Sequence, residues 1–327
     1  MIISKTPLRI SFPGGGTDYP AWFKEHGGAV LATTIDKYIY LTCRYLPPFF
    51  EHTSKIVWSL VEFVKDVDEI QHPSVRECLK FMEIGEGVEI HYDADLPARS
   101  GLGSSSAFTV GLLNSLYALK GKTISKQQLA LDAITLEQER LKEHVGCQDQ
   151  IVTAYGGLNL IEFKRGGGFS INPLVIGRAR QQELQDNLML VFTGFTRTAS
   201  LIAKEWIKQA AHKKKAFVLF QEGVYEGIRL LTGDARIGGF GRLLNDHWRI
   251  KRSIDAKIST PCIDQIYQAA LRCGASGGKL LGAGGGGFFL LCADRGAQKK
   301  IRAKLKKLLI IPFCFENSGS QIIFYNP

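Results

Sequence analysis

Between Asp95 and Ala107 the chain runs Asp-Leu-Pro-Ala-Arg-Ser-Gly-Leu-Gly-Ser-Ser-Ser-Ala, and Phe108, Leu112, Leu113 and Leu116 then recur at helical spacing. The spacing predicts a helix over 104–119. Two glycines just before it let the backbone turn sharply and bring successive N–H groups onto one point, and the helix adds the positive end of its dipole. Such a turn suits an anion, and a triphosphate is the natural guest. The serine hydroxyls would cap the helix or hold a hard cation such as Mg²⁺. Capping alone calls for one serine, and here there are three.

Glycine accounts for 35 of the 327 residues, above its usual share of about 7%. Two further clusters hold much of the surplus: Pro13-Gly14-Gly15-Gly16-Thr17-Asp18 and Gly282-Ala283-Gly284-Gly285-Gly286-Gly287. The second spells Gly-x-Gly-x-x-Gly, but a dinucleotide fold needs a helix after that turn. Phe288 to Cys292 follows instead, a strand, which excludes a nicotinamide site. Gly121-Lys122-Thr123 imitates the end of a Walker A loop, yet Leu116 stands where its first glycine belongs. Five glycines beside so apolar a strand carry a high conformational cost, so this loop is expected to line a ligand.

With 45% hydrophobic and 22% charged residues, the chain is an ordinary globular protein, neither disordered nor fibrous. No uncharged apolar stretch reaches the roughly eighteen residues of a membrane span. A soluble, cytoplasmic protein without membrane contact is expected. The seven cysteines are scattered, with no CxxC pair and no histidine at metal spacing, as suits reduced thiols. Cys147, two positions before Asp149, is the one whose modification would be felt there. No Ser/His/Asp constellation supports hydrolase chemistry.

The net charge of +10 is uneven: residues 1–185 carry 19 basic and 21 acidic side chains, residues 186–327 carry 22 and 10. Nucleic acid is not the expected partner. The densest basic run, Lys299 to Leu308, sets Ile301, Leu305 and Leu308 at helical spacing and has no interleaved aromatics to stack bases. The positive second part is expected to face anionic small molecules.

Strands are predicted over 8–12, 30–43, 88–92, 188–193, 287–292 and 322–325, and helices over 104–119, 127–142, 199–211, 217–231 and 263–273. Their irregular alternation predicts an α+β fold without internal repeats. The charge shift places a domain boundary near 185, giving 1–185 and 186–327.

Three motifs in order carry a family resemblance. Gly101-Leu102-Gly103-Ser104-Ser105-Ser106-Ala107 after Pro97 resembles the ATP-binding motif of the GHMP small-molecule kinases. Pro7-Leu8-Arg9-Ile10 with Gly14 to Asp18 is similar to their first motif, and Lys279 to Gly287 to their third. Within that superfamily, Phe12 to Asp18, His72-Pro73-Ser74-Val75-Arg76-Glu77 and Val145 to Gln150 through Ala154-Tyr155-Gly156-Gly157 resemble the D-glycero-D-manno-heptose 7-phosphate kinases. The resemblance implies two α+β domains, the N-terminal one like ribosomal protein S5 domain 2 and the C-terminal one ferredoxin-like, with the site between them. It further implies ATP and Mg²⁺ as cofactors and phosphorylation of the anomeric C1 hydroxyl of a sugar phosphate to a 1,7-bisphosphate. A kinase of free fucose or mannose and a non-catalytic sugar-binding homologue are the alternatives, and the chain is expected to be a monomer or a homodimer.

A sugar hydroxyl is a weak nucleophile, so phosphoryl transfer to it profits from a carboxylate that accepts its proton and from cations that spread the phosphoryl charge. The resemblance assigns the first role to Asp149 and sets Arg9 beside it. It implies ATP binding by Pro97, Gly101, Leu102, Gly103, Ser104, Ser105 and Ser106, and metal ligation by Ser105 and Glu137. Glu139 competes with Glu137, and two residues that close cannot share a helix face. Gly15, Gly16, Thr17, Asp18, Gly284, Gly285 and Gly286 are implied to bind the sugar. Arg197, Lys251 and Arg252 are candidates for its distal phosphate.

Overall fold

The computed structural model describes residues 1–196 and 213–326. Its first unit is a sheet around Gly28–Tyr45, an 18-residue strand in which β-branched and aromatic residues crowd together, as strands prefer. Ile2–Ser11 runs antiparallel along one side of it, with a bulge between Pro7 and Leu8. Three shorter strands share the other side in turn: Asn159–Phe163, Phe315–Glu316 and Val88–Ala94. Ser54–Val57 and Val61–Val64 extend the sheet beyond Val88–Ala94, and Gln321–Tyr325 pairs with Ile2–Ser11. From Thr6 onward Ile2–Ser11 is buried without alternation, because the helices Ser104–Leu119 and Gln148–Tyr155 pack on it.

The second unit contains Leu188–Phe192, Gly277–Leu280, Phe288–Cys292 and Ile310–Ile311, all antiparallel, in the spatial order fourth, first, third, second. Helices Lys214–Thr232, Gly238–Arg252 and Pro261–Arg272 separate the first strand from the second, and Arg295–Lys304 separates the third from the fourth. That order is ferredoxin-like. The charge shift near 185 coincides with the end of the helix Arg178–Asp186, just before Leu188–Phe192. The last strands, Phe315–Glu316 and Gln321–Tyr325, lie in the first sheet. A continuous apolar core joins the units, with Phe240, Leu244 and Phe288 in one cluster with Phe12, Val30 and Leu102.

Where a helix was expected over 127–142, an α-helix covers Lys126–Thr135 and a single π turn covers Leu136–Arg140. The wider turn breaks the 3.6-residue period, as such bulges do near functional sites. The basic run Lys299–Leu308 begins on the helix Arg295–Lys304 and runs past its end: Ile301 and Leu305 are buried and Lys299, Lys300 and Arg302 exposed, while Leu308 lies beyond the helix. The helix expected over 199–211 falls outside the described residues. Among the described residues no helix is long and apolar enough to cross a membrane.

Candidate active site

Arg9 and Asp149 are 140 residues apart in sequence and meet where the strand Ile2–Ser11 passes the first turn of the helix Gln148–Tyr155. Arg9 Nε donates to Asp149 Oδ1 at 2.7 Å, Nη2 to Oδ2 at 2.7 Å, and Nη1 to the Gly101 carbonyl at 2.7 Å. Parallel charge-assisted bonds of this kind fix geometry as well as charge. The arginine side chain is 4% exposed and the aspartate 25%, so the carboxylate is held from behind and open in front.

The glycine–serine loop lies against this pair. Arg9 N–H donates to the Leu102 carbonyl at 3.0 Å, while the Leu102 side chain is fully buried in the core. Gly103 has φ +73°, and a Cβ there would stand 3.0 Å from Arg9 Cγ and 3.3 Å from Asp149 Oδ2. No side chain caps the helix Ser104–Leu119, so its first-turn N–H groups are left for another acceptor. Ser104 Oγ accepts from Arg99 N–H at 3.2 Å, and Ser106 Oγ donates to Glu137 Oε2 at 2.9 Å. Ser105 and Pro97 are exposed.

The π turn directs Glu137 inward and leaves Glu139 exposed. Glu137 is fully buried; its Oε2 also accepts from Gln150 Nε2 at 2.5 Å, and its Oε1 has no hydrogen-bond partner. That unpaired oxygen beside the Ser106 hydroxyl is a fitting donor set for a hard cation. Among the described residues no group of three or more His, Cys, Asp or Glu side chains could hold a metal, so phosphate and water oxygens would complete the shell, as Mg²⁺ prefers.

Burial above all pushes the Glu137 carboxyl up to about 7, against the hydrogen bonds from Ser106 and Gln150. The folded chain therefore keeps a proton that the unfolded chain releases near 4.5. This contribution to stability is full below the unfolded value and is lost as pH rises through the folded one. The melting temperature of the free protein, relative to Glu137→Gln, is expected to fall by a few degrees between about pH 5 and about pH 8. Parallel melting curves across that range would show that Glu137 does not titrate there.

Asp18 is 1% exposed; its Oδ1 accepts from Gly16 N–H at 2.8 Å and its Oδ2 from Gln148 N–H at 3.3 Å. Burial raises its carboxyl above the usual range; the Gly16 hydrogen bond opposes this and the charge of Asp149 adds to it. The Thr17 hydroxyl is engaged with the Gly14 and Ala29 backbone. Ser11 Oγ donates to Gln148 Oε1 at 2.8 Å. One helix turn thus serves three parts: residues 148, 149 and 150 project about 100° apart, toward Ser11 and Gly15, Arg9 and Glu137 respectively. The motif Gln-Asp-Gln was visible in the sequence; the parts played by its glutamines were not.

Gly284, Gly285 and Gly286 pack around Ile258 and Phe195, with Gly285 N–H donating to the Ile258 carbonyl at 2.9 Å. The same loop clasps the glycine–serine loop, where Phe288 N–H donates to the Ser100 carbonyl at 3.0 Å. Lys251 is buried with its ammonium on the Leu280 and Gly282 carbonyls. Arg252 pairs with Asp264 at 2.6 Å, and Arg197 lies outside the described residues. Cys147 is 5% exposed and burial pushes its thiol up to about 12. It is therefore a protonated packing residue rather than a reactive one.

Comparison with known proteins adds to this geometry. The model of the GHMP kinases N terminal domain matches residues 73–157 and that of the GHMP kinases C terminal matches 229–311, together just over half of the chain. The D-glycero-alpha-D-manno-heptose 7-phosphate kinase of Campylobacter jejuni is 29% identical over 317 residues, 94% of this chain and 93% of its own. The L-fucokinase/L-fucose-1-P guanylyltransferase of Bacteroides fragilis is 26% identical over 92% of this chain, a match that takes in 36% of that longer protein. The crystal structure of a D-glycero-D-manno-heptose 1-phosphate kinase from Bacteroides thetaiotaomicron shares the fold, with a TM-score of 0.81 over 100% of both chains at 22% identity.

Proposed function

The chain belongs to the GHMP kinases and is an ATP-dependent sugar kinase, and we propose that its acceptor is D-glycero-D-manno-heptose 7-phosphate, phosphorylated on the anomeric C1 hydroxyl to the 1,7-bisphosphate. The observation that carries the chemistry is the half-open Asp149 carboxylate, clamped by Arg9 against the glycine–serine loop. The acceptor rests on likeness to the Campylobacter jejuni enzyme along nearly the whole of both chains.

In this reading the triphosphate lies on the loop Gly101–Ser106 and the uncapped start of its helix. Asp149 takes the proton of the C1 hydroxyl as the new O–P bond forms, and the bond from the γ-phosphorus to the bridging oxygen breaks to release ADP. Arg9 holds the Asp149 carboxylate in place and lends positive charge to the phosphoryl group in transfer. Glu137 with Ser106, or with Ser105 from the same turn, would hold Mg²⁺, which supplies charge neutralisation at the phosphates. Gly15, Gly16 and Asp18 offer small backbone and a carboxylate to the sugar hydroxyls, with Gly284–Gly286 closing over the phosphates. We assign the reaction to the cytoplasm, where thiols such as its seven cysteines stay reduced.

A kinase of free fucose is the second reading, favoured by the match to the Bacteroides fragilis fucokinase. A non-catalytic sugar binder would have no use for the Arg9–Asp149 clamp. Coupled ADP-release assays across a sugar panel test these readings. Turnover with heptose 7-phosphate and little with free hexoses supports the first, preference for fucose replaces it, and no turnover with any sugar removes both.

A further inference from the structure

Lys279 lies on the strand Gly277–Leu280 of the second sheet and is 7% exposed. An ammonium in such a place is costly unless its interactions answer the lost hydration. Its hydrogen bond runs not within its own sheet but to the Phe12 carbonyl, 267 residues away in sequence, at 2.5 Å. Phe12 is the last residue before the loop Pro13–Asp18. Its N–H pairs with the Leu31 carbonyl, whereas its carbonyl takes no part in the register of Ile2–Ser11 with Gly28–Tyr45, which stops at Ser11 and Ala32.

The loop beyond Phe12 has little stiffness of its own, with three consecutive glycines, two of them at φ above +100°. Its far end is tied down: the Thr17 hydroxyl holds the Gly14 and Ala29 backbone, and Asp18 holds Gly16 N–H. Its near end is held by Lys279 on the Phe12 carbonyl and, one residue on, by Leu31 N–H, which donates to the Pro13 carbonyl at 3.1 Å. Burial brings the Lys279 ammonium down to about 7, with Arg9 adding to that and the Asp18 charge opposing it. The ammonium thus feels the charge of Arg9 and of the buried carboxylate of the loop it holds.

We propose that Lys279 is a positioning residue for the acceptor, pinning the entry of the Pro13–Asp18 loop through the Phe12 carbonyl so that the second sheet sets where the sugar lies. The assignment rests on the proposed role of that loop in sugar binding. It adds to the third motif, whose glycines meet the glycine–serine loop, a lysine that acts on the first motif instead.

Lys279→Met keeps the side-chain length and removes the ammonium. Hydrogen exchange of the free variant is expected to speed up about tenfold or more in residues 14–18 while staying near wild type in 101–106. With D-glycero-D-manno-heptose 7-phosphate as acceptor, the sugar KM is expected to rise about tenfold with the ATP KM within about twofold. Unchanged exchange in 14–18 overturns the proposal, and so does a uniform rise across both loops. Lys279→Leu, which likewise lacks an N–H donor, decides by the same exchange comparison if the methionine variant does not fold. A wild-type protein inactive on the heptose phosphate would count against the acceptor, while the exchange result would still judge Lys279.

Discussion

Asp149→Asn is expected to lower kcat by about 10² or more while ATP affinity stays within about twofold of wild type. The amide has the size of the carboxylate and retains one oxygen to accept from Arg9, so the geometry of the clamp largely persists. What it loses is the capacity to take a proton and the charge that the guanidinium was built to face. Arg9 keeps its bond to the Gly101 carbonyl, so the glycine–serine loop, the proposed nucleotide site, is held by contacts that do not pass through residue 149. Steady-state kinetics, nucleotide titration calorimetry and a thermal melt together decide the matter. A near-normal kcat would remove the acid–base role. A fall in melting temperature matched by equal losses in every kinetic constant would reduce Asp149 to an anchor for Arg9.

The loops were legible because glycine in them reports on the backbone itself: Gly101 and Gly103 take φ of +85° and +73°, conformations that other residues enter only with strain. The helix after them was legible from the spacing of Phe108, Leu112 and Leu116. Local signals of this kind do not reach across the chain. Nothing in composition or periodicity brings Arg9 to Asp149, and only the family resemblance paired them. The three serines differ in exposure, Ser105 outward and Ser106 buried on Glu137, and a serine run carries no phase from which to read that. Glu137 and Glu139 could not be separated from the helix period because the turn that carries them departs from it. The buried lysines were least legible: a lysine in sequence is read as solvated, and Lys279 is held inside by a carbonyl that only the folded chain supplies. The strand Phe315–Glu316 is too short for its pattern to be read, and it belongs to the first sheet only because Gly28–Tyr45 is long enough to offer it a place.

Gly101→Ala is expected to lower kcat/KM by about 10² and to destabilise the fold, because two separate costs meet at one atom. The residue has φ +85°, and a side chain in left-handed backbone costs about 1–2 kcal/mol. The added Cβ would also lie 2.6 Å from the Leu281 carbonyl oxygen and 2.9 Å from its carbon, backbone atoms that cannot swing aside as a side chain would. Relief requires the second and third glycine loops to part, and overpacking of this sort typically costs about 1–3 kcal/mol. The contact is reciprocal, since a Cβ on Gly282 would stand 2.7 Å from the Gly101 Cα. The Gly101 carbonyl is also one of the acceptors that orient Arg9, so a shift of the loop reaches the Arg9–Asp149 pair directly. If the two loops act as one clasp, Gly282→Ala should have a similar effect, and the double variant should lose much less than the sum of the two, because the first substitution has already separated the loops. Chemical denaturation and kcat/KM for the two single variants and the double variant provide the measurement. Additive losses would show that each glycine is required only by its own backbone angle, and a wild-type kcat/KM in Gly101→Ala would show that the close approach of the loops has no part in catalysis.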